Sequence, residues 1–176
     1  MSDTPVHVTR QVIVVTLDVI GLVMLKADSQ TAKSHVRQVA TFLVPRMLDP
    51  NMMVRRAVMQ LAMRLMQSTS PVVVIDILSD NIRHRSPRVR QLTVDILTAA
   101  LLTYPRSNFD LPALCATAAP ALVDQKKGVR HAAMECVAVI AQVGYCIDRW
   151  VRGRACCLSR LSSCLVEKVN RRQCLD

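Results

Sequence analysis

With 176 residues, 51% of them apolar, the chain has enough aliphatic surface to bury a core, which excludes an intrinsically disordered polypeptide. Only 3% of residues are aromatic and four are glycine, a balance that favours helices packed on helices over a sheet-based fold. The net charge of +10 asks for an acidic partner without naming one: nucleic acid, anionic membrane and acidic protein all fit.

In chain order, the first element is VIVVTLDVIGLVML, residues 12–25, behind Arg10. It is shorter than the roughly 20 residues a spanning helix needs. Asp18 at its middle would cost about 2.5–3.5 kcal/mol in a bilayer. A short apolar core after one basic residue is also the outline of a signal peptide, but a buried helix of a soluble domain fits better. Three helix pairs follow. VRQVATFLVPRML (36–48) is joined to MMVRRAVMQLAMRLMQ (52–67) by Asp49-Pro50-Asn51. PVVVIDILSDNI (71–82) is joined to PRVRQLTVDILTAALL (87–102) through Ser86-Pro87. LPALCATAAPALV (111–123) is joined to KGVRHAAMECVAVIAQ (127–142) across Asp124–Gly128. A connector at Thr103–Asp110, with Pro105, links one pair to the next.

The second helices superimpose. Each opens on Val-Arg, at Val54-Arg55, Val89-Arg90 and Val129-Arg130, at intervals of 35 and 40 residues. Counting from each valine, apolar or small residues recur at +3, +7, +8 and +11: Ala57, Leu61, Ala62, Leu65; Leu92, Ile96, Leu97, Ala100; Ala132, Cys136, Val137, Ile140. That spacing is one broad buried stripe of a helix. A fainter copy starts at Thr9-Arg10, so residues 1–143 read as three full helical pairs preceded by half a repeat. A helical pair repeating at this interval predicts an all-α, HEAT-repeat α-solenoid.

The wording between 86 and 141 is the most specific: SPRVRQ, LLTYPRSNFDLPAL and APALVDQKKGVRHAAMECVAVIA. It resembles a TOG domain, the tubulin-binding HEAT array, and among these the Crescerin family, the TOG array regulators of axonemal microtubules. The resemblance covers about residues 3–143. It implies up to six HEAT units whose helix-to-helix turns line one narrow edge and touch tubulin. It further implies a non-enzymatic, cofactor-free module of cytoplasm and cytoskeleton, at the cilium or axoneme. Carried over turn by turn, it nominates His7 in DTPVHV (3–8), then Asn51 and Arg55 in DPNMMVR (49–55). It nominates Arg85, Arg88 and Arg90 in RHRSPRVR (83–90), and Lys126, Lys127 and Arg130 in DQKKGVR (124–130). The family's first turn, which commonly carries a tryptophan, falls upstream of Met1, and the single Trp150 stands elsewhere.

Each nomination has a plainer alternative. In HEAT arrays an arginine after the valine commonly bonds an aspartate of its own or a neighbouring turn, and Asp49 and Asp124 precede Arg55 and Arg130 by six residues. Arg55, Arg90 and Arg130 are therefore read first as structural. Arg85, Arg88, Lys126 and Lys127 have no such partner in the sequence, and contact competes there with simple solvation. A general scaffold solenoid for another protein is the alternative function. Nucleic acid comes third, because stacking aromatics and a recognised motif are missing.

Catalysis finds no support: His7, His35, His84 and His131 are scattered and no glycine loop cradles a phosphate. Neither a small-molecule substrate nor a membrane is expected. From Gly144 onward the composition changes, and residues 144–176 read as a divergent Cys/Arg-rich tail, an alternative or truncated end of the array. Cys146, Cys156, Cys157, Cys164 and Cys174 crowd this tail without a CxxC pair, which fits unpaired thiols in a reducing compartment better than zinc. Cys115 and Cys136 read as small buried residues.

Overall fold

The computed structural model describes residues 4–148, with side chains over residues 10–144. Seven helices follow one another: α1 (Thr4–Lys26), α2 (Ser29–Met47), α3 (Met52–Ser68), α4 (Pro71–Ser79), α5 (Pro87–Thr103), α6 (Leu111–Ala118) and α7 (Lys127–Asp148). Short 3-10 segments sit at Asp80–Arg83, Arg106–Asn108 and Ala119–Val123, and there is no strand among the described residues. The odd-numbered helices form one layer, with α3 between α1 and α5, and α7 beyond α5. The partner helices form the other layer, α2 against α3 and α4, and α6 against α7. This is the expected solenoid of helical pairs.

The repeat stripe explains the layering. Val54, Val89 and Val129 are buried, as are all the +3, +7, +8 and +11 residues except Val137, which is part-buried. Each Val-Arg therefore marks the point where a long helix dives into the core. Local chemistry sets the starts. The Asp28 carboxylate caps α2, accepting from Gln30 N (3.1 Å) and Thr31 N (3.0 Å). Asn51 Oδ1 caps α3 by accepting from Met53 N at 2.8 Å. Pro71 and Pro87 open α4 and α5, where a missing N–H costs nothing.

Four expectations change. The cap at Asp28 starts α2 seven residues before Val36. The helices expected over 71–82 and 111–123 tighten into 3-10 turns after Ser79 and Ala118. Pro120 removes an N–H from the second of these, and Asn81 Nδ2 takes the Leu78 carbonyl (3.1 Å) in the first. DTPVHV is not a turn from Thr4 onward but the start of α1, since Pro5 is tolerated in a helix's first turn.

The apolar run of α1 is only half buried. Leu17 and Met24 face the core, whereas Val12, Val15, Val19, Leu22 and Val23 are each more than half exposed. The run is apolar on both sides, but in the described structure only one side meets α3. Asp18, in the middle of that run, is matched by Arg64 of α3, whose Nη1 reaches Asp18 Oδ1 at 2.8 Å and Asp18 O at 3.2 Å. Gly21 makes room for that arginine: a Cβ there would lie 2.6 Å from Arg64 Cδ. No helix among the described residues is long and apolar enough to cross a membrane. α7 continues to Asp148, past the change in composition at 144, and the tail cysteines with the zinc and thiol alternatives lie outside the described residues.

Candidate interaction edge

The three turns that enter α3, α5 and α7 are built alike. In each, the residue six before the arginine turns its side chain back onto its own loop. Asp49 Oδ1 accepts from Asn51 N at 2.7 Å, His84 Nδ1 from Ser86 N at 3.0 Å, and Asp124 Oδ1 from Lys126 N at 2.8 Å. The arginine then brackets the loop from the other side. Arg55 Nη1 donates to Asp49 O and Pro50 O, both at 2.8 Å. Arg90 Nη1 donates to His84 O (2.8 Å) and Arg85 O (3.1 Å). Arg130 Nη1 donates to Asp124 O (2.9 Å) and Gln125 O (3.1 Å). A guanidinium holding two carbonyls fixes the loop against the helix it precedes, so the exposed tip residues stand on a rigid base.

One arginine also ties two turns together. Arg90 Nε and Nη2 grip both carboxylate oxygens of Asp124, at 2.6 Å and 2.9 Å, with both side chains largely shielded from solvent. The hydrogen-bonded guanidinium holds the Asp124 carboxyl below the usual carboxylate range, against the opposing effect of burial. A planar fork meeting a carboxylate in this way is the strong form of an ion pair.

The nominated residues now separate into groups. Arg90 takes the structural role through Nε, Nη1 and Nη2, whereas Arg55 and Arg130 each commit only Nη1 to it. Asn51 is a helix cap, its Oδ1 already committed to Met53 N. Arg85, Arg88, Lys126 and Lys127 are exposed and make no ion pair among the described residues. These four are brought together on neighbouring turns of one edge. His7 is the fourth residue of α1, and its side chain lies outside those described.

Three features escaped sequence reasoning. His84 occupies the position of Asp49 and Asp124, which aligning DPNMMVR, HRSPRVR and DQKKGVR residue by residue reveals. The acid that serves Arg90 is Asp124 of the next turn, the neighbouring-turn form of the expected pairing, and its identity, 34 residues on, has no local signal. Met52 and Met53, at 54% and 55% exposure, make the 49–55 tip apolar where the other two tips are basic.

Comparison with known proteins gives a consistent picture. No family model matches the chain. TOG array regulator of axonemal microtubules protein 1 of Mus musculus is 36% identical over 126 residues, covering 72% of this chain and 7% of the relative. The Homo sapiens protein of the same name gives the same identity and coverage. Crescerin-like protein che-12 of Caenorhabditis elegans is 29% identical over 143 residues, covering 80% of this chain and 11% of its own length. The chain thus spans under a tenth of the mouse and human relatives. Among solved structures, one of Crescerin, described as using a TOG domain array to regulate microtubules in the primary cilium, matches with TM-score 0.71. It is 34% identical and is covered over 57% of its length by 81% of this chain. A second, from work on TOG–tubulin binding specificity, microtubule dynamics and spindle formation, matches at TM-score 0.55 and 20% identity, over 65% of this chain and 46% of that one, and speaks to the fold alone.

Proposed function

We infer that this chain, a partial TOG domain of the family of TOG array regulators of axonemal microtubules, binds tubulin along the edge formed by its intra-repeat turns. The observation that carries this reading is the pairing of rigid loops with uncommitted cations. Arg85, Arg88, Lys126 and Lys127 project from two adjacent turns whose backbones are clamped by Arg90 and Arg130. Preordered loops reduce the entropy lost on association. Charges repeated along one edge steer the domain onto an acidic protein and bond to it there. An exposed pair contributes only about 0–1 kcal/mol, so recognition draws on several turns at once.

The role is non-catalytic: the edge binds and orients, and the relatives' names point to microtubule regulation at the axoneme and primary cilium as the setting. In this reading residues 1–143 are the array and residues 144–176 a separate tail. The test is co-elution with unpolymerised tubulin, intact and stripped of its acidic C-terminal tails. Binding is expected to survive tail removal and modest salt, and to weaken by about tenfold or more on combining Arg88→Glu, Lys126→Glu and Lys127→Glu. Binding that disappears with the tails marks non-specific attraction to a basic protein. Binding that ignores the three reversals removes the turn edge from consideration.

A further inference from the structure

Arg55 and Arg90 hold their own turns through the same atom, Nη1, onto carbonyls at the same two positions. The remaining edge of Arg90, Nε with Nη2, is filled by the Asp124 carboxylate of the following turn. The remaining edge of Arg55 has no acid among the described residues, because the following turn presents His84 where an aspartate would stand. His84 accepts the Ser86 N–H at Nδ1, which leaves the hydrogen of the neutral ring on Nε2. It can therefore donate toward a carboxylate but has no acceptor for Arg55. Arg55 is part-buried, yet none of its nitrogens is a buried atom lacking a partner, so the vacant edge is open to solvent.

We propose that the interval between the 49–55 and 84–90 turns is a carboxylate-binding slot, in which Arg55 Nε and Nη2 take an aspartate or glutamate side chain of the protein partner. The partner's acid completes the ladder rung that Arg90 and Asp124 complete internally. The exposed cations Arg85 and Arg88 of the next turn add to the potential that draws the acid in. The slot deepens the tubulin reading and rests on it for the partner's identity, but its chemistry is testable without tubulin. Between the two arginines that are followed by a further described turn, it singles out Arg55 as the contact and leaves Arg90 as a strut.

The discriminating substitution fills the slot from inside. His84→Asp supplies the missing carboxylate while keeping an acceptor for Ser86 N–H, as Asp49 and Asp124 do. His84→Asn keeps that acceptor and leaves the slot empty of charge. In the isotope-labelled chain at constant ionic strength, sodium acetate is expected to shift the Arg55 Nε–H resonance saturably in wild type and His84→Asn, but not in His84→Asp. Tubulin affinity is expected to fall roughly fivefold to tenfold in His84→Asp and to stay near wild type in His84→Asn, the scale of one charge-assisted pair. An Arg55 resonance indifferent to acetate, or a His84→Asp chain that binds tubulin like wild type, overturns the slot. If wild type binds no tubulin, the tubulin reading falls and the acetate titration decides the slot by itself.

Discussion

The two most extensive helix–helix interfaces, α1 with α3 and α5 with α7, handle charge in opposite ways. Across the first, Asp18 meets Arg64 at 2.8 Å, and Gly21 lets the arginine lie close to the α1 backbone. Across the second, Asp95 of α5 faces Glu135 of α7 with only His131 opposing. Burial first, then the Glu135 charge, pushes the Asp95 carboxyl up to about 6. The outer faces differ as well: α1 shows solvent a valine and leucine stripe, whereas α7 shows Gln142 and, as its one exposed large apolar side chain among the described residues, Met134. One packing scheme therefore tolerates a carboxylate either by pairing it or by pushing it toward its neutral form. Its two flanks are also chemically unlike.

The largest test of that asymmetry is truncation. Leu17→Ala on α1 and Ile140→Ala on α7 each remove a fully buried side chain and should lower the unfolding free energy by about 2–5 kcal/mol in urea titrations. Val19→Ala, on the exposed face of α1, should stay within about 0.5 kcal/mol. A loss at Val19 as large as that at Leu17 would mean the stripe is covered in solution.

Next comes the half-buried acid, Asp95. Between pH 3.8 and about 6 the folded chain holds a proton on Asp95 that the unfolded chain has released, so stability falls as pH rises through that window. Asp95→Asn should raise stability at pH 7 by on the order of 1 kcal/mol, allowing for partial exposure, with the gain vanishing near pH 4. A gain independent of pH would assign the effect to packing. Close in size is Thr93→Val on the same helix, which removes a buried hydroxyl with no partner and keeps the shape; it should add about 1 kcal/mol.

How much of this the sequence discloses depends on the range of each interaction. The second helix of every pair was legible because its period is local: Val54, Leu61, Ala62 and Leu65 announce their own burial. The first helices were less so, since Asp28 acts as a cap only once the chain turns and Pro120 ends α6 without ending the helical path. α1 misleads because a run apolar on both sides reads as fully buried, while its exposure depends on whether a neighbour lies on each side. The Arg90–Asp124 rung spans 34 residues and carries no local pattern. His84 reads as a scattered histidine in the sequence, whereas the three equivalent turns place it in an aspartate's position.

The smallest effects separate the two interfaces most finely. Asp18 and Arg64 retain 39% and 27% side-chain exposure, so their pair should contribute only about 0–1 kcal/mol. Asp18→Asn keeps the Arg64 bond to the Asp18 carbonyl and loses only the charge, so its cost should shrink further as salt is added. Glu135→Gln should raise neutral-pH stability slightly, because its 3.5 Å contact with His131 is more than half exposed and contributes little, whereas its repulsion of ionised Asp95 is relieved. Its effect should appear on its neighbour: with the Glu135 charge gone, the Asp95 titration should move down toward the ordinary carboxylate value but stay above it, since burial is the larger cause. An NMR titration of the Asp95 carboxyl reads this directly. A full return to the ordinary value would make the α5–α7 interface one of repelling charges instead of one that excludes water from a carboxylate.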